Sequence, residues 1–359
     1  MSATLSGLQD CDHREPAGDP LRIARRIRRA GISRSVAVGT VLAVCVLMLF
    51  CVSISVGDFP VPLRDVVPAI FGHGHDRIPY VVQTLRLPRA LTAVLVGGAL
   101  GFSGAIFQSL ARNPLASPDI IGISAGASAS AVFVIVILSG SYAMVAGGAL
   151  VGGFVTAIVI YMAAYRRGLS SYRLVLVGIG VSAMLTAVTN YLMTRAEIYD
   201  AARATVWLTG SLNGRGWEHV RPVAFAMVVL FPVVMLLSRG LRILQLGDDA
   251  ATGLGVNVER TRGALIAVAV ALAAVSTASA GPIAFVAFVA SPIARRLVRT
   301  PLTLIPSALL GALVLLVSDL IARRVFSPTE LPVGVVTGVI GAPYLLWLLA
   351  RSNKTGRGG

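Results

Sequence analysis

Residues 120–165 read IIGISAGASASAVFVIVILSGSYAMVAGGALVGGFVTAIVIYMAAY, and no side chain in the stretch carries a formal charge. A helix needs about 20 mostly apolar residues to cross the hydrocarbon core of a bilayer. The stretch is therefore long enough for two crossings, and Ser139-Gly140-Ser141 supplies the break between them. Lipid offers the backbone no hydrogen-bond partner, so the crossings are expected to be helical.

Outward from this stretch the same pattern repeats. Uncharged runs occupy 35–57 and 90–111 on one side, and 174–194, 222–238, 263–294, 300–318 and 331–350 on the other. The run 263–294 also holds two crossings, divided at Gly281-Pro282. The expected fold is all-α, a polytopic membrane protein of about ten transmembrane helices. Composition agrees: 56% of residues are hydrophobic and only 13% are charged, about half the charged share of a soluble domain.

The net charge of +15 does not indicate nucleic acid, because the arginines sit in short runs between apolar stretches rather than along one face. Ten crossings with the N-terminus inside place 21 of the 31 basic residues in cytoplasmic segments, as the excess of Lys and Arg on that side requires. Both termini are then cytosolic, in an inner-membrane protein. Residues 1–34 read as a basic, partly disordered cytosolic tail and not a signal peptide, since the apolar run after them is too long. Residues 35–351 form the transmembrane domain and 352–359 a short cytosolic tail. Cys11, Cys45 and Cys51 show no paired spacing.

Several segments carry more specific information. Gly97, Gly101, Ser103 and Gly104 recur at close helical spacing, which suits close approach of helix backbones in lipid. Asn113, Pro114 and Pro118 interrupt the helix before 120, and irregular backbone at a membrane boundary needs protein or water to cover it. Leu246-Gly247-Asp248-Asp249-Ala250-Ala251-Thr252-Gly253-Leu254-Gly255-Val256 reads as a short helix, started by Asp248 or Asp249 as cap and closed by Gly255. Asp319 is costly inside a membrane, and Arg323 four residues on allows a helical ion pair. Glu330 precedes Leu331-Pro332, where a helix start favours an acid. Arg86, Arg89, Arg323 and Arg324 fall outside, where they serve either as interfacial anchors or as a docking patch for an acidic partner. Sequence physics leaves both readings open.

The sequence carries no phosphate-cradling G-x-x-x-x-G-K-[ST] motif, so nucleotide binding is not expected in this chain. His13, His73, His75 and His219 lie in predicted loops without the spacing of a metal site. No nucleophile–base pair is visible, and the chain is read as a transport subunit without catalytic or metal residues.

Together these features resemble the FecCD/BtuC-type permeases of iron-siderophore and vitamin B12 ABC importers. The resemblance runs from about residue 37 to 351. It rests on Arg86-Leu87-Pro88-Arg89, on Gly104 to Gln108 with Asn113-Pro114-Leu115-Ala116, and on Trp207-Leu208-Thr209-Gly210-Ser211-Leu212. Leu254-Gly255-Val256, Gly281-Pro282-Ile283-Ala284-Phe285-Val286, Glu330 to Thr337 and Gly341-Ala342-Pro343 complete it. It implies a protomer that pairs with a second permease, identical or different, around a central pathway. ABC ATPase subunits that use ATP and Mg would sit below, and a periplasmic or lipid-anchored substrate-binding protein above. It implies binding-protein docking by Arg86, Arg89 and Arg323. It also implies ATPase coupling through Leu246, Gly247, Asp248, Asp249, Ala251, Leu254, Gly255 and Val256. Pathway walls are expected from 174–194 and 282–299. Many relatives carry Pro-His where this chain has Ser291-Pro292, so no role of that histidine carries over. The departure points to the enterobactin-type branch and to ferric siderophore as cargo. Heme or vitamin B12 is the alternative cargo. A proton-coupled secondary transporter is the rival from another class, and a signalling or scaffold subunit without transport is a third reading.

Overall fold

The computed structural model describes residues 20–57, 59–73, 78–165, 171–300 and 302–355. Cys11, His13, His75, Arg166 and Arg167 lie outside the described residues, as do the ends of both expected tails. The regular elements among the described residues are helices. In chain order the helices are α1 (Pro20–Ser55), α2 (Leu63–Ile70), α3 (Ile78–Tyr80), α4 (Leu87–Ala111), α5 (Pro118–Ile121), α6 (Ile123–Val136), α7 (Tyr142–Ala164), α8 (Ser171–Arg195), α9 (Ile198–Leu208), α10 (Trp217–Leu244), α11 (Asp248–Gly253), α12 (Val258–Ala280), α13 (Val286–Val298), α14 (Leu304–Arg324) and α15 (Val333–Thr355). One π-helical segment, Val81–Arg86, joins α3 to α4.

Seven helical stretches are long and apolar enough to cross a membrane; they contain α1, α4, α7, α8, α10, α12 and α14. Helix α6, the 13-residue α13 and α15, whose apolar stretch is the shorter Val333–Leu348, bring the set to the ten expected. At 1.5 Å per residue α6 and α13 span only about 20 Å, less than the roughly 30 Å hydrocarbon core. Each is preceded by irregular backbone, Arg112–Ser117 before α5 and α6 and Gly281–Phe285 before α13. The breaks fall where the sequence placed them.

The long helices α4 and α12 form the centre, with most of their apolar windows buried. Helix α4 packs against α10, α12, α13 and α14. Small residues make this possible. A Cβ on Gly97 would lie 2.5 Å from the Gly311 carbonyl oxygen of α14, and one on Gly104 would strike the Ala287 backbone of α13. Ser103 donates to the Ala269 carbonyl of α12 at 2.7 Å, so the packing assigned to this stripe includes one interhelical hydrogen bond.

Three extents differ from expectation. Helix α1 begins at Pro20, ahead of residue 35, so the second half of the expected tail is helical. Helix α14 runs past 318 to Arg324, because Asp319, Arg323 and Arg324 find partners that keep the last turn folded. Helix α15 continues to Thr355.

Candidate functional site

The two ends of the bundle carry different chemistry. At one end lies α11, held by α10 and α12. Its N-cap is Gly247 at φ +119, not an aspartate. Asp248 and Asp249 occupy the first turn, where the helix dipole favours acids. Asp248 is engaged sideways, 2.9 Å from Arg262 of α12 and 3.8 Å from Arg112 beyond α4. Gly255, at φ +80, closes the element as expected, and Val256 N–H donates to Ala251 C=O at 3.0 Å. Ala251 is buried, whereas Leu246 and Leu254 stand 68% and 62% exposed on either side of α11. Two exposed leucines flanking a small, pinned helix form an apolar grip facing away from the bundle.

At the opposite end, the arginines singled out from sequence converge from distant positions. Arg89 lies within 2.9 Å of both Asp319 and Glu330. Arg323 meets the other Asp319 oxygen at 2.9 Å, across the four-residue spacing. Asp319 is fully buried, so two guanidinium groups share the charge that would otherwise be stranded. Arg86 donates to Ile54 C=O at 2.8 Å, Ser55 C=O at 3.2 Å and Phe59 C=O at 2.5 Å. Arg323 reaches Ser53 C=O at 3.2 Å, and Arg324 reaches Gly57 C=O at 2.9 Å. The last carbonyls of a helix have no intrahelical donor. Here three arginines from other elements supply donors to the end of α1 and the turn after it. This role was not legible in sequence, since nothing local pairs Arg86 with residue 54.

These groups line a cavity of about 440 Å³ that contains Arg86, Arg89, Arg215, Arg323, Arg324 and Glu330. Arg86 is 9% exposed, and the side chains of Arg89 and Arg323 are 11% and 10% exposed. Arg324 is exposed. The three arginines assigned to docking are thus enclosed and internally bonded, yet the cavity remains cationic. Arg215, in the loop before α10, is the member that sequence reading missed. Burial lowers its pKa, while Tyr142 and Glu218 oppose that shift; an arginine remains a cation throughout.

The expected pathway segments fall on α8 and on the Gly281–Phe285 turn with α13. Gly122, the cap between α5 and α6 at φ +100, lies against Gly178 and Ser182 of α8. Asp119 accepts from the Ser124 hydroxyl at 2.6 Å beside it.

A profile of the FecCD transport family matches residues 45–351. The ferric enterobactin transport system permease protein FepG of Escherichia coli (strain K12) is 44% identical over 299 residues, covering 83% of this chain and 91% of that protein. The Fe(3+) dicitrate transport system permease protein FecD of the same organism is 40% identical over 313 residues, covering 86% and 96%. The iron(3+)-hydroxamate import system permease protein FhuG of Bacillus subtilis (strain 168) is 38% identical over 318 residues, covering 86% and 95%. A solved metal-chelate type ABC transporter in an inward-facing conformation superposes with a TM-score of 0.79 at 26% identity, covering 88% of this chain and 99% of that chain.

Proposed function

This chain belongs to the FecCD transport family, and from that premise we propose that it is the membrane-spanning permease of an ATP-driven importer for ferric siderophores. The cargo reading is supported by the relatives named above, whose own substrates are iron chelates with enterobactin, citrate or hydroxamate ligands. The observation that carries the importer reading is the bundle's polarity. One end presents α11 between two exposed leucines, and the other presents a cationic cavity.

In this reading α11 faces the cytosol and fits an ATPase subunit, which uses ATP and Mg. Asp248, tied to Arg262, passes the push of that subunit to α12. The arginine end faces outward toward a binding protein. Arg86, Arg89 and Arg323 act there through the field they generate, and the exposed Arg324 makes the outermost contact. Fields of this kind speed and orient encounter more than they add affinity. A second permease, identical or different, completes the pathway. Each ligand shifts the balance between outward- and inward-open states only by its differential affinity for them.

The test is uptake of radiolabelled ferric chelate by proteoliposomes containing the permease, its ATPase and its binding protein. Uptake is expected to require ATP and the binding protein, and to survive an uncoupler. Uptake without ATP that collapses with an uncoupler would overturn the proposal in favour of a proton-coupled carrier.

A further inference from the structure

A smaller cavity, of about 120 Å³, opens at the α11 end of the bundle. Ser35 of α1, Ser238 and Arg242 of α10, and Thr303 with Ile305 at the start of α14 line it. The uncharged runs 35–57, 222–238 and 300–318 all begin or end beside it. It therefore lies at the depth where the hydrocarbon of a bilayer gives way to headgroups.

The two sides of the cavity differ. Toward the hydrocarbon stand apolar side chains with no cover: Leu236 is 76% exposed, Val36 62% and Ile305 46%. Helices α1 and α10 bury only 22% and 17% of their apolar windows, so lipid lies against both. Toward water stands Arg242, which is exposed and makes no side-chain hydrogen bond or ion pair with another described residue. Arg239, one turn earlier, and Arg299, ahead of α14, are exposed as well. Asp248, the acid that follows α10, is already held by Arg262 at 2.9 Å. This corner is cationic without a described acid to answer it.

Within the cavity some hydroxyls are spent. Ser238 donates to Met235 C=O at 2.6 Å, and the Thr303 and Ser307 hydroxyls lie 3.2 Å apart. Arg242 and the Ser35 hydroxyl remain as donors. The first-turn amides of α14 add to them, since the Thr303 side chain does not cap that helix. The volume is well below the roughly 300 Å³ at which pockets for whole small molecules begin, and it suits a single headgroup phosphate. Basic pockets between crossings on the cytoplasmic side are where anionic lipid headgroups bind.

We propose that this cavity holds the phosphate of an anionic phospholipid from the leaflet on the α11 side, with its acyl chains along the outer faces of α1 and α10. The lipid ties together two crossings that pack on different partners, α1 on α14 and α10 on α4 and α12. The proposal depends on the chain spanning a membrane and not on its cargo or energy source.

The experiment titrates the full-length permease, delipidated in detergent, with phosphatidylglycerol under native mass spectrometry, and with phosphatidylcholine as the zwitterionic comparison. Phosphatidylglycerol is expected to bind the more tightly, and its binding to weaken about tenfold in Arg242→Gln, which removes a charged donor to the phosphate. Arg242→Lys is expected to retain part of the affinity. Ser35→Val, on a different helix, is expected to weaken binding as well. Arg260→Gln removes an exposed arginine outside the cavity and is expected to change nothing. Equal loss in Arg260→Gln and Arg242→Gln would show diffuse surface charge in place of a site and overturn the proposal. Equal binding of the two lipids to the unaltered protein would overturn it too. Inorganic phosphate is the competitor, and displacement of the lipid by an equal concentration of it would sink the lipid assignment. Thermal unfolding midpoints without lipid are expected to match across the variants, which separates lost binding from lost folding. Should Arg242→Gln fail to fold, Ser35→Val decides the matter. Transport is not measured, so failure of the importer reading and failure of this site are told apart.

Discussion

Asp319 is the residue on which the arginine end turns. It is fully buried and lies 2.9 Å from both Arg89 and Arg323. Removing one member of a buried ionic set leaves the others uncompensated, at a cost of about 3–5 kcal/mol. Asp319→Asn is therefore expected to lower the thermal stability of the detergent-purified protein sharply, because two guanidiniums then face each other. Arg324→Gln, at an exposed position bonded to one carbonyl, is expected to leave stability nearly unchanged; equal losses in both variants would contradict this account. The Asp319–Arg323 pair was legible from spacing alone. The bond from Arg89 was not, because 230 positions separate the two residues and only the α4–α14 packing brings them together.

Among the elements, α11 and the α4 crossing make the sharpest demands. Helix α11 is only six residues long, too short to persist without tertiary support, and its hold is the contact with α10 and α12 together with the Asp248–Arg262 pair. The combined Asp248→Ala, Asp249→Ala and Leu254→Ala variant is expected to reach the membrane and bind the binding protein, yet to lose ATP-dependent uptake. Full uptake in that variant would remove α11 from the coupling route. The α4 crossing tolerates no bulk at Gly104, where the obstacle is the Ala287 backbone and not a side chain that can turn away. Gly104→Val is expected to abolish accumulation of the folded protein, and Gly39→Val, in open space on α1, to leave it intact. Immunoblots of membrane fractions compare the two. The reading of this glycine stripe as packing came from spacing, but which neighbour each glycine touches did not.

At the scale of the molecule, the distribution of arginines predicts orientation. With 21 of the 31 basic residues on one side of a ten-span chain, a cysteine placed at Asp249 is expected to react with an impermeant maleimide only in inside-out vesicles. A cysteine at Thr329 is expected to react in intact spheroplasts, with Cys11, Cys45 and Cys51 replaced beforehand in both. The reverse pattern would invert the assignment of ATPase and binding-protein faces. It would also exchange the roles given to α11 and to the arginine cavity.

Sequence by itself determined the solvent and the number of crossings. Burying so many uncharged residues in water-excluding surroundings, with every backbone group satisfied locally, leaves helices across lipid as the available answer. It also located the breaks at Ser139–Ser141 and Gly281-Pro282, because glycine and proline act on the backbone at their own positions. Tertiary structure alone decided what the arginines do. Arg86 completes the end of a helix that closed some thirty residues earlier, Arg215 joins a cavity wall shared with residue 330, and the Trp207 indole N–H is buried without an acceptor among the described residues. Hydrogen-bond and ion-pair partners are chosen by distance in space, and packing brings together groups that chain order keeps far apart.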